Sequence, residues 1–477
     1  MQLKRFVTPV RKSVILDNLC RIMGLFGYLL VPPLVASLLF RESLYTVMLA
    51  GETLVCFFPR LLLGKKASLN LAVAEALVVT ALSYLLFGIL GGVLFLPIAP
   101  LVDGLFEAMS GITTTGLSVM PVESLPDTLL FFRSYSQWIG GAGIVIISLL
   151  LLMAPGLSAF RLYTSEYGEI NLAGDVKSTA KVVVKIYLAL TALGFVIFWA
   201  SGMDGFTALL HIMSTVSTGG FSPFNTSIGA YPSGFTRIAV VVFMVAGGIS
   251  FVSYCALQNR KWKDFFRDPQ LRILALVIGG ATLIFFLAEG ILWSNLLTSL
   301  FHAASAVSTT GFGVSDCSLW PEETKFAAVL VMFVGGGAGS TAGGIKLFRL
   351  LVALHLMKRL FARVLLPAEA KLSLTYDRRV VGDEEIMAAG GIIVLYLMFI
   401  SATAFALMTA GIDIADAIFE STSALATVGL SVGVTSQTLP AWAKLLLSLN
   451  MWAGRLEILP VMILLYLPIW RRKRTEK

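Results

Sequence analysis

Apolar runs of about twenty residues recur along almost the whole of this 477-residue chain. Twenty residues at about 1.5 Å each is the length that crosses a bilayer as a helix. With 57% hydrophobic and 13% charged residues, no water-soluble core could bury the apolar surface. Inside lipid the backbone must satisfy its own hydrogen bonds, so the chain is predicted to be an all-α integral membrane protein. The expected spans lie at 14–40, 44–63, 71–97, 128–153, 183–201, 236–257, 271–293, 325–353, 388–410 and 440–468.

The net charge of +8 does not mark a nucleic-acid binder, because of where the charge falls. Basic residues gather from Lys4 to Lys12, Arg60 to Lys66, Arg161 to Lys185, Arg260 to Arg272, Lys358 to Arg379 and Arg471 to Lys477. The other connections hold only Arg41, Arg133, Arg237, Lys325 and Lys444. That alternation follows the positive-inside rule and puts both termini in the cytoplasm. The first apolar run is too long for a signal peptide, and no cleavage site follows it, so the N-terminus is read as mature. Cys20, Cys56, Cys255 and Cys317 form no metal or disulfide pattern and are read as packing residues.

Four short segments interrupt the hydrophobicity in the same way: SGITTTGLSV (110–119), STVSTGGFSP (214–223), SAVSTTGFGV (305–314) and SALATVGLSV (423–432). They align on Gly116, Gly220, Gly311 and Gly429, at intervals too long for a solenoid. Ten residues before each glycine stands Phe106, Leu210, Phe301 or Phe419. Asp103, Thr207, Thr298 and Asp416, three residues earlier, are expected helix N-caps. A helix of about ten residues reaches about 15 Å, half the hydrocarbon core. Each repeat therefore reads as span, half-helix, Thr/Gly segment, span. The predicted division is a two-helix extension (1–68), then repeats at 69–155, 156–260, 261–360 and 361–477, the third with a broken second helix.

Irregular backbone at membrane depth is tolerated where protein buries it or water reaches it. Four such segments around one axis can line a narrow pore whose carbonyls replace the water around a dehydrated cation. Half-helices entering from outside would aim their partly negative C-termini at that cation. Asp103, Glu107, Asp416 and Glu420 are expected to add negative charge at the outer mouth. Thr and Gly also serve close helix packing, but four aligned copies favour the pore.

On these segments the sequence resembles the Trk/Ktr/HKT superfamily of potassium transporters, most closely its bacterial Trk branch, over nearly the whole chain. The resemblance implies potassium uptake across the bacterial cytoplasmic (inner) membrane. Its selectivity filter would be built from Thr113, Thr114, Thr115 and Gly116; Ser217, Thr218, Gly219 and Gly220; Ser308, Thr309, Thr310 and Gly311; and Ala426, Thr427, Val428 and Gly429. Glycine in all four repeats goes with potassium preference in that superfamily, and serine in the first with sodium. Gly219 and Val428 depart from the hydroxyl-bearing Thr115 and Thr310. The resemblance also implies a homodimer and a cytosolic nucleotide-binding ring as regulatory partner. Residues 156–182 and 354–387 are long enough to dock such a ring. Potassium is cargo, and no cofactor is expected.

The segment VGGGAGSTAGGIKLFR (334–349) carries Gly335, Gly336, Gly337, Gly339, Gly343 and Gly344, which make a continuous helix costly. Its Gly337-to-Ala342 pattern mimics a dinucleotide fingerprint, but it lacks a βαβ setting and lies within a span. The glycines imply a broken helix and a flexible loop held by few contacts, which the resemblance makes an intramembrane gate. Arg455 lies within the last span, where a charge is costly and usually faces a wet cavity. By resemblance it is an electrostatic barrier below the filter, with Lys346 either joining it or marking the cytoplasmic edge. A carboxylate partner is the alternative for Arg455, and Glu457, two residues away, is poorly placed for it. His211 and His302 are expected to hydrogen-bond within the half-helices, and no metal spacing or nucleophile–base motif is present. An ion-coupled secondary transporter of another small solute remains the alternative function.

Overall fold

The computed structural model describes residues 9–63, 71–151, 176–258, 260–365, 374–376 and 379–470. Most of the proposed docking segment 156–182 and part of 354–387 lie outside them. The described residues are helical apart from turns, short 3-10 segments and a two-stranded hairpin, β1 (Leu374–Tyr376) with β2 (Arg379–Val381).

The N-terminal extension is α1 (Lys12–Leu29), α2 (Val31–Leu39) and α3 (Ser43–Leu63). The turn at Leu30, followed by Pro32 and Pro33, divides its first run into two helices. The first repeat comprises α4 (Val73–Val93), α5 (Leu101–Ile112) and α6 (Asp127–Leu151). The second comprises α7 (Val176–Ala200), α8 (Gly205–Val216), α9 (Gly234–Gly248) and α10 (Phe251–Gln258). A short α11 (Trp262–Arg267) leads to the third: α12 (Pro269–Ala288), α13 (Trp293–Val307), α14 (Glu322–Val334) and α15 (Leu347–Leu365). The fourth is α16 (Asp383–Thr409), α17 (Ile414–Leu425), α18 (Ala441–Arg455) and α19 (Leu459–Leu465).

Among the described residues, five helical stretches are long and apolar enough to cross a membrane, and the bent pair α18–α19 makes a sixth. Their outward faces are apolar too: Leu39, Leu276 and Phe405 are each at least 70% exposed. Only 22% of the apolar window in Lys181–Ala200 is buried. A helix that hides so little of so apolar a surface is suited to lipid, not water.

The half-helices α5, α8, α13 and α17 are present and buried over their C-terminal turns, with Phe106, Leu210, Phe301 and Phe419 at most 1% exposed. Their caps differ from the expectation. The N-cap positions are Pro100, Asp204, Leu292 and Asp413, so Asp103, Thr207, Thr298 and Asp416 lie inside the helices. Asp204 accepts from the Phe206 and Thr207 amides, and Asp413 from the Ala415 amide. Both are ordinary capping acids that precede the aligned positions.

Three of the second spans break at a similar point. The α9–α10 join falls at Ile249 and Ser250, the α14–α15 break runs through 335–346, and α18 bends by 115° into α19. Only the third break was expected from its glycines. The α18–α19 bend is made by Glu457 (φ +56) and Ile458 (φ +66). Arg455 thus ends a helix inside the bent span, where the last carbonyls and the macrodipole favour a cation.

Candidate functional site

Each half-helix ends in the same backbone motif. The C-cap residues Thr113, Ser217, Ser308 and Ala426 are right-handed. The next residues, Thr114, Thr218, Thr309 and Thr427, all have φ between +51 and +55. The glycines Gly116, Gly220, Gly311 and Gly429 have φ between +78 and +95. Left-handed threonine is a genuine outlier, costing roughly 1–3 kcal/mol, and four copies at aligned positions mark a required geometry. Alternating the sign of φ turns successive carbonyls to one side of the chain, unlike a strand, where they alternate.

The four loops close into a ring. A Cβ placed on Gly116 would strike the Gly219 carbonyl oxygen, one on Gly220 the Thr310 oxygen, one on Gly311 the Val428 oxygen and one on Gly429 the Thr115 oxygen. Each filter glycine therefore packs on the carbonyl that precedes the filter glycine of the next repeat, and the fourth returns to the first. Glycine is required at these positions both by φ and by the close approach of a neighbouring backbone. All the predicted filter threonines and serines, with Ala426 and Val428, are fully buried.

Local hydrogen bonds hold the loops. The amides of Thr115, Gly219, Thr310 and Val428 donate to the carbonyls of Ser110, Ser214, Ser305 and Ser423, at 2.7–2.9 Å. This serine opens all four aligned segments, and the repetition was the signal that could have singled it out. Gly116 and Gly429 amides also donate to the Ser110 and Ser423 hydroxyls, at 3.0 and 3.1 Å.

The residue after each aligned Phe or Leu ties the half-helix to the chain leaving the ring. Glu107 accepts from the Ser118 hydroxyl and the Val119 amide, at 2.5 and 2.8 Å. His211 Nε2 bonds the Ser222 hydroxyl at 3.0 Å, and His302 Nε2 accepts from the Val314 amide at 3.2 Å. Glu420 accepts from the Ser431 hydroxyl and the Thr435 amide. The histidines are structural ties of the expected kind.

The acidic mouth needs correction. Glu107 pairs with Arg133 at 3.1 Å, Asp103 with Lys444 at 2.7 Å and Asp416 with Lys325 at 3.1 Å. Asp103, Glu107 and Glu420 are buried, so these carboxylates join elements and do not present bare charge to solvent. The single basic residues of the outer connections thus do structural work that their isolation in sequence concealed. Arg133 also reaches the Ser222 carbonyl and covers the Phe221 ring at 3.9 Å, linking repeats 1 and 2.

Beneath the ring lies the glycine segment 335–346, buried throughout. The Gly343 amide donates to Thr309 Oγ1 at 2.7 Å and the Gly344 amide to the Ala426 carbonyl at 3.1 Å. Thr341 Oγ1 reaches the Val216 and Gly247 carbonyls, each at 3.0 Å. Gly337 donates to Gly248, Ala338 to Gln270 Oε1, and Phe251 to Gly339. Gly335, Gly339 and Gly344 take φ near +75, as does Lys346, whose ammonium bonds the Ala342 carbonyl. The glycines therefore do not make a loosely held segment, as their number suggests. They let a backbone fit tightly against the half-helix C-termini, with the Gly344 amide donating to the Ala426 carbonyl.

Arg455 is fully enclosed at 3% exposure. Its Nη1 donates to the Thr341 carbonyl at 2.6 Å and its Nη2 to the Gly140 carbonyl at 3.0 Å. Among the described ion pairs none involves Arg455; Glu457 pairs instead with Arg349. The arginine thus fastens the glycine segment to α6 of the first repeat. The structure brings together every predicted site residue: sixteen in the ring, and the glycine segment and Arg455 below it.

A buried ring of carbonyls at half-helix C-termini, in a helical bundle with an apolar exterior, is the construction of a membrane cation transporter. The chain belongs to the TrkH family of cation transport proteins, which matches residues 97–469. It is 31% identical to a cation transporter of Methanocaldococcus jannaschii, over 94% of each chain. It is also 31% identical to the Trk system potassium uptake protein TrkH of Halomonas elongata, over 96% of this chain and all of that one. The crystal structure of the potassium transporter TrkH from Vibrio parahaemolyticus matches 99% of this chain and 100% of that one, with a TM-score of 0.84 and 26% identity.

Proposed function

We propose that this protein takes up potassium across the bacterial cytoplasmic membrane, with the four-loop ring as its selectivity filter. The observation that carries this reading is the closure of the ring, each filter glycine lying on a carbonyl of the next repeat. Four sets of carbonyls at half-helix C-termini offer a dehydrated monovalent cation oxygen ligands without a full counter-charge. Thr114 and Thr427 hydroxyls have no partner, and serve here as further oxygens along the path. The glycine segment and Arg455 form the closed gate: the segment occupies the half-helix ends, and Arg455 holds it there with a charge that repels cations. Opening exchanges those hydrogen bonds for water and ions.

The resemblance implies a homodimer and a cytosolic nucleotide-binding ring as regulator, and the placement of basic residues supports cytoplasmic termini. The protein needs no cofactor in this reading. The test is rubidium flux into liposomes holding the purified protein with no organic solute present. Selective flux supports an ion path; flux that requires a co-transported solute favours the secondary-transporter alternative and rejects this one.

A further inference from the structure

We propose that Gln137 is a positioning residue for ion selection, holding the repeat-2 loop in the place of a side chain that the other repeats carry; this rests on the filter reading above. In repeats 1, 3 and 4 the residue before the filter glycine is Thr115, Thr310 or Val428, each fully buried. In repeat 2 it is Gly219. That glycine is not required by backbone conformation, since Gly219 is not among the positive-φ glycines. It is required by space. The three atoms nearest to a Cβ placed on Gly219 all belong to Gln137, namely Cδ, Oε1 and, at 2.9 Å, Cβ.

Gln137 replaces more than volume. Its Nε2 donates to the Gly219 carbonyl at 2.6 Å, and its Oε1 accepts from the Phe221 amide at 3.1 Å. The carboxamide thus brackets Gly220 from both sides. Repeat 2 needs this because its own ties are missing. Thr113 and Thr115 hydroxyls bond each other at 2.8 Å, and Ser308 and Thr310 at 2.7 Å. In repeat 2 no such pair can form, and the Ser217 hydroxyl keeps only bonds to its own half-helix, at the Met213 and Ser214 carbonyls. Ser214 Oγ has no partner, whereas its counterparts Ser110 and Ser423 hold the filter glycine amides.

The exchange is local to one junction, between repeats 1 and 2. Gln137 stands three residues before Gly140, whose Cα abuts the carbonyl ending α5. Three residues before the matching Gly247 and Gly454, and before the break at Gly335, stand Met244, Met451 and Met332. All three are fully buried and none can donate a hydrogen bond. An amide has therefore replaced a thioether on the repeat-1 helix that faces the one filter loop lacking a side chain at this position, that of repeat 2. The Gly219 carbonyl lies against Gly116 in the ring, so its direction is fixed by a donor from α6. A carbonyl already engaged by an N–H also presents a weaker field to a cation, which makes the ring unequal at this position.

The test uses the full chain in liposomes and compares potassium with sodium permeability for Gln137→Met, Gly219→Thr and the double variant, with Gly116→Ser as the filter control. Gln137→Met is expected to reduce potassium preference by about two- to tenfold, the worth of one net hydrogen bond. Gly219→Thr alone should lose function through collision with Gln137. The double variant, which gives repeat 2 the arrangement of repeat 3, should recover preference. A Gln137→Met protein with unchanged melting temperature and parental preference, beside a Gly116→Ser protein that has lost it, overturns the proposal. Unchanged preference in Gly116→Ser as well overturns the filter reading, and this proposal with it. If Gln137→Met cannot be purified, the double variant decides: recovered preference upholds the exchange and lost preference refutes it.

Discussion

Replacing Arg455 with Gln tests the gate most sharply, because this side chain fastens the glycine segment to α6. It donates to the Thr341 carbonyl at 2.6 Å and to the Gly140 carbonyl at 3.0 Å. A hydrogen bond from a charged group is worth about 1.5–3 kcal/mol. Glutamine keeps at most one, weaker, so the closed arrangement loses at least about 1.5 kcal/mol, or roughly tenfold in its equilibrium with an open one. The charge adds a second effect. Two like unit charges about 4 Å apart repel by about 4 kcal/mol at an effective dielectric of about 20. Both effects act in one direction, so rubidium flux should rise at least about tenfold. Stability should change little by comparison. Removing one member of a buried ion pair costs about 3–5 kcal/mol, but no described carboxylate pairs with Arg455. Flux and melting temperature measured on the same purified protein decide the matter. A stable Arg455→Gln protein with equal or lower flux would refute the barrier.

Thr341→Val should also raise flux, because it removes two hydroxyl contacts with Val216 and Gly247 while leaving Arg455 in place; liposome flux reads it directly. Arg133→Met leaves Glu107 buried without its cation and should destabilise the protein by about 3–5 kcal/mol, seen as a lowered melting temperature. Lys444→Met should be similarly costly, whereas Lys444→Met with Asp103→Leu should recover most of that loss, since two apolar groups replace a buried pair; thermal melts of the single and double variants check it.

The parts legible in the sequence are those that repeat or that break a rule of the membrane. Thr/Gly segments between apolar runs violate the demand for continuous helix, and four aligned copies of them located the ring. Six glycines likewise located the break at 335–346. What stayed hidden depends on contacts distant in sequence. Asp103 finds Lys444 more than three hundred residues away, so the acidic mouth read from Asp103, Glu107, Asp416 and Glu420 dissolves into three ion pairs and, at Glu420, hydrogen bonds to Ser431 and Thr435. Gln137 reaches Gly219 in another repeat, and nothing near either residue announces it. The glycines misled in one respect. In sequence they suggest mobility, but in the fold Gly343 and Gly344 serve close approach, with amides bonded to Thr309 and Ala426. The bend after Arg455 was missed because left-handed Glu457 and Ile458 carry no turn signature.

The central claim is that the closed ring of Thr/Gly loops chooses the ion. Its most direct test is the potassium-to-sodium permeability ratio, from currents under opposed gradients, for the parent protein and for Gly116→Ser and Gly311→Ser. Both glycines carry positive φ and lie on carbonyls of the next repeat, so a side chain there must displace ligand oxygens. The account predicts potassium preference in the parent and a ratio shifted toward unity in both variants, with flux still measurable. A ratio unchanged in both would mean that selection takes place elsewhere, and would contradict the account.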